Sequence, residues 1–139
     1  MIVGIGSDLV RIERVAQLHA RYGERFARRV LGPDELVEYR RRRDRGAARD
    51  GAVGEARVVR FLANRFAAKE AYSKALGTGL RHPMSLLSLE VLNDRRGKPY
   101  CRPRKALAEH VATHRLRAHV SISDEVDHAL AFVIIETEE

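Results

Sequence analysis

The sequence predicts an α+β fold, with helices packed on a largely antiparallel sheet. Three observations carry that expectation. Apolar residues recur at helical spacing through the first half, whereas the C-terminal third holds short stretches rich in β-branched residues. The inferred element order, βααα(α)ββαββ, sets the late strands beside one another with short polar turns between them. No internal repeat and no linker divides the 139 residues, so one domain spanning 1–139 is expected.

The first strand is read at 2–7, apolar and punctuated by glycine, ending at Asp8. Leu9, Ile12, Val15, Ala16 and Leu18 then mark one face of a helix, with Arg11, Arg14 and Arg21 toward solvent. Gly23 interrupts it, and Phe26, Val30 and Leu31 suggest a further turn or two before Gly32-Pro33. Pro33-Asp34-Glu35 opens a short helix, with proline in its first turn and acids at the positive end of the dipole. The arginine-rich stretch at about 41–56 has almost no large apolar side chain, and is expected to be a mobile loop or a fraying helix end. Residues 58–76 form the principal helix. Strand, turn and strand follow over 88–100, then a short amphipathic helix at 105–114 and two strands at 118–123 and 128–136.

Composition narrows the function. Hydrophobic residues make up 45% and charged residues 32%, values of a soluble globular protein. No apolar run reaches the roughly 18 residues of a membrane span, and the N-terminus lacks the features of a signal peptide. The lone Cys101 excludes an internal disulfide framework and a cysteine-built zinc site, so the cytoplasm is the expected location. A net charge of +7 implies an anionic partner.

The most informative stretch is Arg65-Phe66-Ala67-Ala68-Lys69-Glu70-Ala71-Tyr72-Ser73-Lys74-Ala75-Leu76-Gly77-Thr78-Gly79. Stepping by four along one helix face gives Leu62, Phe66, Glu70 and Lys74, so an apolar row turns charged. A carboxylate set there needs a partner, either Lys74 or a bound cation. Gly4-Ile5-Gly6 is not a dinucleotide fingerprint: position 9 is Leu9 and no βαβ unit follows. Its glycines instead let a backbone or ligand approach the strand closely. Taken singly, Asp8 reads as a helix N-cap, Glu70–Lys74 as a surface ion pair and Gly97-Lys98-Pro99 as a hairpin turn. The histidines at 110, 114, 119 and 128 show no metal-ligand spacing.

Together these segments are more specific. Gly4-Ile5-Gly6-Ser7-Asp8-Leu9-Val10 with Arg14 resembles the GxGxD signature of holo-acyl-carrier-protein synthases, the small 4′-phosphopantetheinyl transferases. Residues 65–79 are similar to that family's second signature almost residue for residue. Glu90-Val91, Gly97-Lys98-Pro99 and His119-Val120-Ser121-Ile122-Ser123 follow in the family's order, so the resemblance covers essentially the whole chain. There are two departures. Many members carry a histidine where this chain has Asp124 followed by Glu125, and the arginine-rich segment is longer than the usual connection.

The resemblance implies a 4′-phosphopantetheinyl transferase-like fold and a reaction. The phosphopantetheine arm of coenzyme A would pass to a serine of apo-acyl carrier protein, releasing adenosine 3′,5′-bisphosphate, in fatty acid biosynthesis. Asp8 and Glu70 would hold one Mg²⁺, a pairing that suits how magnesium is usually bound. Asp8, Glu70 and Lys74 would form the catalytic set, with Lys74 steadying the leaving pyrophosphate. Lys74, Gly77, Arg65 and Arg57 would bind coenzyme A, with Arg65 and one of Arg57 or Arg60 on its 3′-phosphate. Arg14, Arg21, Arg25 and Arg29 would meet the acidic carrier protein. The family is typically a homotrimer with sites between subunits. Neither nucleic acid nor a membrane is expected as a partner.

Two rival readings fit the sequence less well. A nucleic-acid module built on Arg40 to Arg45 conflicts with 6% aromatic content and no Trp, and leaves Asp8 and Glu70 without a purpose. A transferase for secondary-metabolite carriers would be about twice this length, as two fused pseudo-repeats; this chain shows one unit.

Overall fold

A computed structural model of the chain describes residues 1–49 and 51–138. Its order is β1 (Ile2–Arg11), α1 (Ile12–Tyr22), α2 (Glu24–Val30), α3 (Pro33–Arg49), α4 (Gly51–Leu76), a 3₁₀ turn (Leu86–Ser88), β2 (Leu89–Asn93), β3 (Pro99–Pro103), α5 (Lys105–His114), β4 (Leu116–Asp124) and β5 (His128–Thr137). The predicted class holds: helices lie on an antiparallel three-stranded sheet ordered β1-β5-β4, beside an antiparallel β2-β3 hairpin.

The centre is α4. Its buried residues fall on most of its circumference, among them Val58, Leu62, Ala63, Ala67, Ala68, Ala71, Tyr72 and Ala75. Such a helix must be enclosed on several sides, and here the sheet, α3 and α1 enclose it. The inward row of β5 is Ala129, Ala131, Val133 and Ile135, all buried, and it alternates with outward residues at the period of a strand.

Small residues let β1 lie directly on α4. A Cβ on Gly4 would fall 1.8 Å from the Ala75 carbonyl oxygen, and one on Gly6 would fall 2.1 Å from that of Ala71. No side chain fits there, which bears out the close-approach reading of Gly4-Ile5-Gly6. Residues two apart share a strand face, so Asp8 points to the same side as the two glycines.

Three expectations need correction. The stretch at 41–56 is helical, not a loop: α3 continues to Arg49 and α4 begins at Gly51, with Asp50 outside the described residues. Ion pairs supply what apolar side chains do not. Glu38 accepts Arg41 and Arg42 at 2.8 Å each, and Glu24 of α2 accepts Arg40 at 2.9 Å and Arg43 at 3.1 Å. Glycine supplies the contact between the helices, since a Cβ on Gly46 would lie 2.5 Å from the Cα of Gly54. The helix opened by Pro33 is therefore long, and the principal helix starts seven residues earlier than 58. Thirdly, β1 runs on to Arg11, so Asp8 is a strand residue paired with Ala131 and caps nothing; Leu9 likewise belongs to the strand.

Candidate active site

The glycine contact between β1 and α4 brings Asp8 to Lys74 and Glu70. The Lys74 ammonium donates to Asp8 Oδ1 at 3.0 Å and to the Ser7 carbonyl at 2.9 Å. Lys74 therefore pairs with Asp8 and not with Glu70. Burial, then the charge of Asp8, raises the Glu70 carboxyl above the usual carboxylate range, and Lys74 only partly offsets this. Among the described residues no side chain or backbone N–H donates to the Glu70 carboxylate. A half-buried carboxylate that faces a second carboxylate and lacks a hydrogen-bond donor makes a site for a cation.

The donor set fits a hard divalent ion that keeps several ligands of its own. Among the described residues no group of three or more His, Cys, Asp or Glu side chains is arranged to hold a metal. An ion held by Asp8 and Glu70 alone would need phosphate and water to complete its shell, as magnesium usually does. Helix α4 ends just beyond, where Gly77 takes φ 86° and its N–H returns to the Ser73 carbonyl at 3.2 Å. Glycine suits that left-handed turn, and it places Gly77 one turn after Lys74.

Lys69 points away from this cluster. It is fully buried and donates to Glu35 Oε1 at 2.6 Å, the Val30 carbonyl at 2.5 Å and the Leu86 carbonyl at 2.9 Å. Burial lowers its ammonium pKa, and Glu35 works against that. Glu35 also accepts the N–H groups of Gly32 and Val91, both at 2.9 Å. Beside it, burial pushes the Glu90 carboxyl up. Hydrogen bonds from Arg102 and from the N–H groups of Asp34 and Glu35 outweigh that and hold it low.

On the other side of α4 lie the predicted nucleotide contacts. Arg65 is 6% exposed, hydrogen-bonded to Asn93 Oδ1, and stacked with its guanidinium carbon 4.7 Å from the Phe61 ring centroid. Burial lowers its pKa to about 10. Its Nε and the Asn64 Oδ1 are buried without a hydrogen-bond partner among the described residues. Arg57 is exposed and lines a cavity of about 490 Å³ with Arg42, Arg45, Arg60, Asn64 and Asp124. The predicted carrier-binding arginines, Arg14, Arg21, Arg25 and Arg29, are all exposed. Arg25 and Arg29 rim a largely apolar cavity of about 400 Å³ floored by Leu18, Phe26, Val30, Phe66 and Leu86.

Sequence reasoning thus brought together Asp8, Glu70 and Lys74, and the structure places the three in one cluster. It missed Asn64, Arg42, Arg45 and the Arg60–Asp124 pair. An arginine run carries no mark of which members face a cavity. A pair 64 residues apart leaves no trace in a single sequence.

Comparison with known proteins agrees with the geometry. Residues 4–133 match the model of the 4′-phosphopantetheinyl transferase superfamily. The chain is 50% identical to the holo-[acyl-carrier-protein] synthase of Methylibium petroleiphilum, over 100% of this chain and 99% of that one. It is 49% identical to that of Leptothrix cholodnii, over 99% and 98%. The crystal structure of the Neisseria meningitidis holo-[acyl-carrier-protein] synthase superposes with a TM-score of 0.83 at 38% identity, covering 99% of this chain and 100% of that one. The Bacillus anthracis synthase, solved in complex with CoA (3′,5′-ADP), gives 0.76 at 35% identity, with 99% of each chain covered. The chain belongs to the 4′-phosphopantetheinyl transferase superfamily, in its holo-acyl-carrier-protein synthase branch.

Proposed function

We propose that this chain transfers the 4′-phosphopantetheine arm of coenzyme A to a serine of apo-acyl carrier protein, in fatty acid biosynthesis in the cytoplasm, with Asp8, Glu70 and Lys74 as its catalytic residues. The observation that carries the residue assignment is the seating of Gly4 and Gly6 against Ala75 and Ala71, which delivers Asp8 to the turn bearing Glu70 and Lys74. In the reaction the serine oxygen forms a new P–O bond at the phosphorus that carries the pantetheine. The P–O–P bond breaks, and adenosine 3′,5′-bisphosphate departs with the electron pair. Asp8 and Glu70 would hold a divalent ion, Mg²⁺ by the hardness of the donors, which would supply neutralisation of pyrophosphate charge. Lys74 turns from Asp8 to the leaving phosphate, and Asp8, acting through a water, takes the serine proton. Alignment and fixed charge supply most of the rate.

Arg57, Arg65 and Gly77 border the coenzyme A site in this reading. Arg65, already stacked and bonded to Asn93, is a rigid wall more than a flexible grip. Arg14, Arg21, Arg25 and Arg29 receive the acidic carrier protein, and the apolar cavity between Arg25 and Arg29 takes a side chain from it. Self-association, in this reading as a homotrimer, is supported by the outer sheet face, where Ile5, Leu9, Leu130 and Phe132 are exposed together. Contiguous exposed apolar patches mark association surfaces.

The test is mass spectrometry of apo-carrier protein incubated with this chain, coenzyme A and Mg²⁺, with and without chelator. The expected result is a gain of one phosphopantetheine, lost on chelation. Transfer that persists in chelator overturns the metal role, and no gain under any condition overturns the reaction.

A further inference from the structure

The late histidines are expected from sequence to lack metal-ligand spacing, and the structure corrects this for one pair. His110 and His114 stand four apart at the end of α5, so their side chains share one face, the spacing of histidine pairs that bind metal on a helix. Their ring centres are 4.3 Å apart and the planes are tilted by 37°. The His114 Nδ1 lies 3.0 Å from the His110 carbonyl oxygen. A carbonyl only accepts, so Nδ1 carries the proton and Nε2 keeps its bare lone pair, the form that ligates a metal. Donation from the other ring nitrogen to a carbonyl is also how metal-bound imidazoles are usually oriented. Neither ring nitrogen of the half-buried His110 has a hydrogen-bond partner among the described residues.

Two other histidines are already engaged. His19 lies between Glu55 at 2.6 Å and the Tyr39 hydroxyl at 2.7 Å, and His119 meets Glu136 at 3.1 Å. The surroundings of the 110–114 pair favour a cation. Arg115 takes φ 54° and closes the helix directly after His114, so the pair sits at the negative end of the α5 dipole. Beside the rings lies a cavity of about 310 Å³, lined otherwise by apolar side chains and Thr137. It leaves room for waters to complete a coordination shell.

The spacing of the rings selects the ion. A metal at the ~2.0–2.1 Å usual for an imidazole nitrogen lies about 3.2 Å from each ring centre. Centres 4.3 Å apart then subtend about 85° at the metal, whereas a tetrahedral pair needs them about 5.2 Å apart. A bite near a right angle suits adjacent positions of a square-planar or tetragonal ion. We propose that His110 and His114 form a two-nitrogen site for a divalent transition metal of that geometry, Cu²⁺ above Ni²⁺, with waters completing the shell. Hard Mg²⁺ takes oxygen ligands and does not compete here. The donors differ in kind from the Asp8–Glu70 carboxylates, so this site stands or falls independently of the transfer reaction.

The experiment titrates Cu²⁺, Ni²⁺ and Zn²⁺ separately into the full chain by calorimetry, with excess Mg²⁺ present throughout, and records the electron paramagnetic resonance of the Cu²⁺ form. Wild-type protein should bind Cu²⁺ most tightly, and its spectrum should show coupling to two nitrogens. His110→Ala and His114→Ala should each weaken Cu²⁺ binding about tenfold or more and leave one nitrogen in the spectrum. His110→Gln, which keeps the backbone carbonyl that orients His114 and a polar side chain, should behave as His110→Ala does. His119→Ala should change neither affinity nor spectrum. The proposal is overturned if both alanine variants bind Cu²⁺ as the wild type does, if the wild-type spectrum shows one nitrogen or none, or if Zn²⁺ binds most tightly of the three.

Discussion

Glu70 is kept at its place against its own electrostatic preference. Burial and the facing Asp8 raise its carboxyl pKa. The folded chain therefore holds the Glu70 proton more firmly than the unfolded chain does. Its contribution to stability is fully present in acid and is lost as pH rises through the raised value. At neutral pH without metal, the ionised carboxylate opposes folding. Glu70→Gln should therefore leave the metal-free fold intact with an equal or higher Tm, read by thermal unfolding at pH 7.5. Transfer should fall by about two to three orders of magnitude, the scale of losing a preorganised electrostatic contact. Because a proton and the metal compete for Glu70, the Mg²⁺ concentration needed for transfer by the unmodified chain should rise as pH drops toward that raised value. Unfolding of the variant would make Glu70 structural. Lys74→Ala should chiefly lower kcat, because its ammonium is released from Asp8 to act on charge that develops late. A rise in KM for coenzyme A at constant kcat would instead make it a uniform binder.

Elements rather than single residues decide whether those groups meet. Gly6→Ala places a Cβ about where the Ala71 carbonyl oxygen stands, 2.1 Å away in the present packing. Backbone must move, at a cost of about 1–3 kcal/mol for overpacking. Asp8, two residues on, must move with it. Denaturant unfolding and the Mg²⁺ dependence of transfer should both shift; a change in neither would mean that β1 and α4 separate freely. Lys69 fixes α4 from the opposite side. Breaking a buried pair by Lys69→Met should cost about 3–5 kcal/mol, with part recovered when Glu35 is also made apolar. The sequence made β1 and the end of α4 legible because glycine, aspartate and the FxxKEAxxK spacing act locally, and Gly77 marked the helix stop. It did not make the arginine-rich helices legible. Composition there argued for a solvated loop, while the stabilising partners were Glu24 and Glu38, the Gly46–Gly54 contact and the face of Phe61, over which Arg42 stacks at 4.6 Å. The first two lie in other segments or depend on a helix already formed.

At the scale of the whole molecule, the question is what covers the outer face of the sheet. Strand alternation puts Ile5 and Leu9 of β1 on the side away from α4, in register with Ile134 and Leu130 of β5; Ser7 lies opposite Phe132. Leu9 and Ile5 are each 62% exposed. Burial is worth roughly 25 cal/mol per Å² of apolar surface, so leaving the large apolar side chains Ile5, Leu9, Leu130 and Phe132 in water is costly for a chain whose residues are 32% charged. A second copy of the chain offers the same face and can cover it by symmetry. Light scattering on the chain should then report an oligomer, a trimer on the present proposal. Leu9→Asp should give monomers, because an aspartate on that face cannot be buried unpaired. Far-UV circular dichroism should be unchanged, since Leu9 lies outside the core. Transfer by that monomer separates two cases: full activity means each copy holds a complete site, whereas lost activity restored at high protein concentration means a neighbour helps to close it. A wild-type chain that is monomeric at micromolar concentration would remove the trimer from this account and leave the patch without a partner.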